Sequence, residues 1–206
     1  MTYTWIKRWL AGALAAVMLF AICPQQPASA SNFTDISGHW AESYINKAVN
    51  LGLFSGTTPT TFSPDANMTR AMFVTVLAKY SKEDIQQYTT SQFRDVPADA
   101  WYAHAVAWAY SGGIISGTSE KQFSPDSAIT REQMATLIVR FANYQRFALP
   151  RVRSGKSFSD KSQTADYSLD ATYTLYRSGI INGTSSKTFS PTGKATRAQC
   201  AVIFCQ

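Results

Sequence analysis

Residues 113–141 read GIISGTSEKQFSPDSAITREQMATLIVRF, and the order of signals in them dictates a local structure. Gly113 is a helix-ending residue for whatever precedes it, because the left-handed cap conformation suits glycine. Gly117-Thr118, a polar stretch and Phe123-Ser124-Pro125 then form a loop rich in turn-favouring residues. Thr130, followed three places later by Gln133, is a capping box, and behind it Met134, Leu137, Ile138 and Phe141 recur on one face of a helix. Upstream, Phe93-x-Asp95 and Trp101 lead into Val106, Ala109 and Tyr110, again at helical spacing. The segment reads as helix, loop, helix.

The same unit occurs three times. Thr130-Arg131 maps onto Thr69-Arg70 and Thr196-Arg197. At the same offsets Gly113 matches Gly52 and Gly179, Gly117 matches Gly56 and Gly183, and Phe123 matches Phe62 and Phe189. Phe33-x-Asp35 and Phe158-x-Asp160 open the outer copies, and Trp40 and Tyr167 hold the place of Trp101. The first helix repeats as Ile45, Ala48, Val49 and as Thr172, Leu175, Tyr176; the second as Phe73, Val76, Leu77, Tyr80 and as Cys200, Ile203, Phe204. Thr196 with Gln199 is a second capping box, whereas Met72 leaves copy one with its Thr alone. A two-helix unit cannot bury its own apolar stripe, so an all-α domain of three copies packed on one another is expected. The copies span 31–80, 93–141 and 158–206, with connectors at 81–92 and 142–157.

The remaining segment, 1–30, has Lys7 and Arg8 before an apolar run from Trp9 to Ile22 and ends in Ala28-Ser29-Ala30. That is a signal-peptide pattern, and the run is short of the roughly 20 residues that span a bilayer. Cleavage after Ala30 implies a secreted chain with no membrane partner and removes Cys23, leaving Cys200 and Cys205. On a helix these two face different ways, so no disulfide is expected, and Cys200 reads as a buried structural thiol. The net charge of +6 includes Lys7 and Arg8. The +4 left on the remaining 176 residues is too scattered for a nucleic-acid footprint.

Phe-x-Asp, Trp, Gly-x-x-x-Gly-Thr, Phe-x-Pro and Thr-Arg, in that order and three times over, resemble the S-layer homology (SLH) family across 31–206. The resemblance implies a compact pseudo-threefold helical unit. It further implies binding of an anionic, typically pyruvylated, secondary cell-wall polysaccharide, on the surface of a bacterium. The family's usual Thr-Arg-Ala-Glu departs here to Met72, Gln133 and Gln199, and copy three carries Tyr167 for Trp.

The Thr-Arg pairs bear on this chemically. A helix start presents unpaired N–H groups and a partial positive charge, which an Arg opposes and an external carboxylate relieves. Arg70, Arg131 and Arg197 are therefore candidate anion ligands, and their replacement by Ala is expected to weaken binding without unfolding the domain. The alternative is that they pair with Asp35, Asp95 and Asp160 across neighbouring copies. Trp40 and Trp101 either wall a sugar ring or close the first helix onto the core. Gly56, Gly117 and Gly183 either admit a ligand to the backbone or answer a turn. Asp35, Asp95 and Asp160 complete the candidate ligand set. No catalytic, cofactor or metal motif is expected: His39 and His104 have no counterpart in copy three, and no nucleophile elbow or phosphate loop occurs. The alternatives to a wall anchor are a protein-binding scaffold on the same fold and a fragment of a longer anchored surface enzyme.

Overall fold

Thr69, Thr130 and Thr196 are extended residues whose hydroxyls accept the N–H groups of Met72, Gln133 and Gln199. Each thereby caps the helix that begins at the following Arg. The side chains of Gln133 and Gln199 reach back to the cap N–H and complete two capping boxes; the first copy has the Thr bond only. The computed structural model describes residues 33–155 and 157–206, so the expected signal peptide at 1–30 lies outside the described residues. Within them run six α-helices and no strand: α1 (Glu42–Asn50), α2 (Arg70–Ser81), α3 (Ala103–Ser111), α4 (Arg131–Tyr144), α5 (Asp166–Arg177) and α6 (Arg197–Cys205). A 3-10 turn covers Lys161–Gln163. None of the described helices is long and apolar enough to cross a membrane.

The first helix of every copy ends alike. Gly52, Gly113 and Gly179 have φ of +71°, +67° and +78°. The N–H after each bonds five residues back: Leu53 to Ala48, Ile114 to Ala109, Ile180 to Leu175. This is the Schellman closure, and it needs a residue without a Cβ penalty at positive φ.

Packing runs between copies more than within them. Helix α2 lies on α3, α4 on α5, and α6 returns to α1, so the second helix of each copy covers the first helix of the next and the last closes on the first. The backbone repeats the cycle. Met68 N–H donates to Ala195, Ala195 N–H to Ile129, and Ile129 N–H to Met68, at 2.9, 3.0 and 2.9 Å. Beneath this ring Phe73, Met134 and Cys200 occupy equivalent, fully buried positions, with the Cys200 sulfur 3.8 Å from that of Met134. Cys200 and Cys205 are free thiols, and burial pushes the Cys200 thiol up to about 12, leaving it neutral and unreactive.

Candidate functional site

Arg70, Arg131 and Arg197 are the first residues of the second helices and are only 5–6% exposed. Each crosses into the following copy. Arg70 Nε donates to the Phe123 carbonyl at 2.8 Å and Nη2 to that of Ser116 at 3.2 Å. Arg131 makes the same pair with Phe189 and Asn182, and Arg197 with Phe62 and Ser55. The guanidinium carbon stands 4.5–4.8 Å from the centroid of the ring of that same Phe, a stacking worth about 0.5–2 kcal/mol.

The alternative, an Arg–Asp ion pair, is not formed among the described residues. Asp35 instead accepts the N–H groups of Phe62 and Ser63 in its own copy, at 2.9 and 2.7 Å. Asp95 and Asp160 hold Phe123-Ser124 and Phe189-Ser190 in the same way. The two charges meet through one peptide residue: Asp takes its N–H and Arg its carbonyl. Burial raises the Asp35 and Asp160 carboxyls, but the two N–H donors outweigh it, with Arg197 and Arg131 adding to them, and both end below the usual carboxylate value. Burial likewise lowers the three guanidinium groups, against the pull of these acids, which at neutral pH leaves them fully charged.

Nor are the helix starts open. Arg70 and Ala71 donate their N–H groups to Ser127 and Pro125 of the next copy. Arg131 and Glu132 donate to Gly193 and Pro191, and Arg197 and Ala198 to Ala66 and Pro64. With the third N–H on the capping Thr, the first turn of each helix is satisfied by protein. The sequence-based argument for a free helix terminus fails here, because the next copy supplies the carbonyls that an isolated helix lacks. What remains is the outer edge of each guanidinium: Nη1 of Arg70 and of Arg131 bonds no described residue, and Nη1 of Arg197 meets only the Met72 sulfur at 4.0 Å.

Each of these Arg residues lines a groove, and the three grooves, about 400, 380 and 390 Å³, share one plan. The first combines Arg70 of copy one, Ser116-Gly117-Thr118 and the α4 face of copy two, and Tyr167 of copy three. The second combines Arg131, Asn182-Gly183-Thr184 with α6, and Trp40. The third combines Arg197, Ser55-Gly56 with α2, and Trp101. All three copies thus build every groove. Trp40, Trp101 and Tyr167 are 63%, 65% and 55% exposed, so the alternative in which the Trp closes its helix onto the core does not hold. Burial, with Glu132 nearby, raises the Tyr167 phenol, which stays neutral.

Gly56, Gly117 and Gly183 lie in the groove walls, but the turn is what requires them. A Cβ at Gly117 would stand 2.1 Å from the Ser119 carbonyl oxygen and 2.7 Å from the Phe93 ring, and the other two are equally crowded. Asp35, Asp95 and Asp160 line none of the three grooves. Sequence reasoning passed over Lys79 and Arg140, which occupy one position on α2 and α4 and line two of the grooves. Their recurrence at the offset of the Thr-Arg pairs was the available signal. His39 bonds Asp65 and the Ala41 N–H, His104 bonds the Tyr88 carbonyl, and no group of three metal-ligating side chains occurs among the described residues.

The family model for the S-layer homology domain matches residues 32–72, 92–135 and 157–201. Among curated proteins, the Exoglucanase XynX of Acetivibrio thermocellus is 33% identical over 171 residues, covering 83% of this chain and 16% of that protein. The Surface-layer 125 kDa protein of Lysinibacillus sphaericus is 28% identical over 202 residues, 96% of this chain and 16% of that protein. For the S-layer protein EA1 of Bacillus anthracis the figures are 24% over 196 residues, 95% and 22%. The chain spans less than a quarter of the length of these relatives.

Proposed function

This chain belongs to the S-layer homology domain family, and from that premise we propose that it anchors non-covalently to a bacterial cell wall by binding an anionic, pyruvylated secondary polysaccharide. The observation that carries the reading is the threefold groove, lined in each case by a buried Arg and an exposed aromatic residue. A pyruvyl ketal offers one carboxylate to that Arg, and Trp40 and Trp101 offer flat apolar faces to the sugar carrying it. Gly117 and Gly183 bring Thr118 and Thr184 to the groove wall, and Gly56 lines the third groove itself. Asp35, Asp95 and Asp160 act at one remove, by fixing the loop that Arg grips. Sites linked along a polymer gain avidity through effective concentration.

In this reading residues 1–30 direct export and 31–206 carry three repeats that bind and do not catalyse. Relatives named as an exoglucanase, an amylopullulanase and S-layer proteins match the chain over 9–23% of their own lengths. An anchoring segment common to proteins of different activities fits that pattern, as does its use within a longer surface enzyme. The scaffold alternative replaces the polysaccharide with a protein partner.

The test is co-sedimentation of residues 31–206 with wall sacculi that retain, or have been stripped of, their secondary polysaccharide. Binding to the retained walls alone is expected. Trp40→Ala, at an exposed position, should reduce it about tenfold while leaving the far-UV spectrum unchanged. Equal binding to both preparations overturns the polysaccharide reading in favour of a protein or peptidoglycan partner.

A further inference from the structure

The three grooves differ in where their second cation comes from. In the Arg70 groove, Arg140 on α4 donates from Nη1 to the Ser116 hydroxyl at 2.8 Å, while Arg70 holds the carbonyl of the same residue. Two guanidinium groups therefore meet on one loop residue. The position of Arg140 is Lys79 on α2 and Gln206 after α6, so the helix facing the Arg131 groove offers no cation there.

In that groove the loop residue is Asn182 rather than Ser, and its side-chain oxygen is taken by Arg153 Nη1 at 2.6 Å. Its carbonyl is taken by Arg131 Nη2, also at 2.6 Å. The double bonding of Ser116 is reproduced at Asn182, with the second guanidinium coming from the connector between copies two and three. The connector is fixed for this: the N–H groups of Val152 and Arg153 both donate to the Arg177 carbonyl, at 2.9 and 3.0 Å. The Arg153 guanidinium rests 5.5 Å from the Tyr176 ring centroid. Asn is longer than Ser and carries its oxygen further out, which suits a partner arriving from outside the helix layer. Loss of the helix cation, the Ser-to-Asn exchange and the longer connector all converge on one groove.

Resting on the reading of the grooves as anion sites, we propose that Arg153 is the second cation of the Arg131 groove and sets its specificity for a carboxylate-bearing saccharide. The carboxylate lies between Arg131 and Arg153, with the sugar ring on Trp40. Arg153 is partly exposed and reaches the groove through Asn182, which lines it.

Trp40 lines this groove and Trp101 the Arg197 groove, so their indole N–H signals, assigned among the five tryptophans of the 15N-labelled full chain, report separately. The probe is the pyruvate ketal of a methyl hexopyranoside, with its methyl ester as the uncharged control. In Arg153→Gln, which retains a donor for Asn182, the Kd read at Trp40 is expected to weaken about five- to tenfold, with Trp101 unaffected. Gln206→Arg in that background restores a helix cation and should recover most of the loss, which a merely structural role for Arg153 would not allow. An unchanged Kd at Trp40, or equal weakening at both indoles, overturns the assignment of Arg153. If the unsubstituted chain shows no saturable shift at either indole, or shifts equally with the ester, the anion-site reading itself falls and the assignment with it.

Discussion

Phe62 is held at both polar atoms of its backbone, by Asp35 at the N–H and by Arg197 at the carbonyl, while its ring fills the core and carries the guanidinium. The next residue, Ser63, is forced to φ +58°, and Ser124 and Ser190 to +57° and +58°. That conformation disfavours residues with a Cβ, and the second Asp oxygen, on the Ser N–H, is what holds it. The carboxylates therefore have a stability role that pH exposes. The folded pKa of Asp35 and Asp160 is depressed from an unfolded value near 3.9. Their contribution is complete above pH ~4 and is lost as pH falls through the folded value. Asp35→Asn keeps one acceptor and turns an amide donor against the other N–H. It should destabilise the domain at pH 7 by about 1–2 kcal/mol, and its urea midpoint should fall less steeply between pH 5 and pH 3 than that of the parent. A parallel fall in both proteins would remove Asp35 from the acid response.

At the scale of the helix, the copies are equivalent in plan and unequal in fit. Helix α5 starts without a side-chain cap of its own. Glu132, a buried residue on α4 where the other copies have Ala71 and Ala198, accepts the Ala165 N–H at 2.9 Å and the Ser168 hydroxyl at 3.2 Å instead. Further along α5, Thr172 stands where the other first helices have Ile45 and Val106. It is 1% exposed, and its hydroxyl oxygen has no partner. Thr172→Val keeps the shape and removes an unpaired polar atom, so it should stabilise the domain by about 1 kcal/mol in urea unfolding. A loss of stability would mean that the hydroxyl has a bonded water. Much of this level was legible in the sequence: the capping boxes, the Schellman glycines and both apolar stripes follow from local spacing. The partners that Glu132 and the Arg residues find were not, because they lie 33–135 positions away, and no local pattern encodes which copy faces which.

For the whole molecule, the order of contact matters more than the number of copies. Open solenoids contact only sequence neighbours, so damage at one interface stays near it. Here α6 covers α1, Lys47 donates to the Cys205 carbonyl at 2.7 Å, and Arg197 reaches back to Phe62 and Ser55. The third interface is thus made between the two copies farthest apart in the chain. Periodicity reveals the triplication but not this closure, nor that a groove needs all three copies. Closure also revises the expectation that the Arg residues can be removed without harm to the fold. Arg197→Ala strips the buried Phe62 carbonyl and the part-buried Ser55 carbonyl of their donor and a ring of its cation, and should cost about 2–4 kcal/mol. Trp108 reports the consequence elsewhere: it is fully buried in copy two, bonded to Glu83 and packed on Tyr144, and belongs to neither copy that Arg197 joins. In a closed ring its fluorescence midpoint should fall with that of the far-UV signal, and by the same amount, because the Met68–Ala195–Ile129 backbone ring ties all three copies into one cooperative unit. A Trp108 midpoint left at the unsubstituted value while the far-UV signal shifts would show that copy two unfolds independently, and a groove could then persist without its third wall.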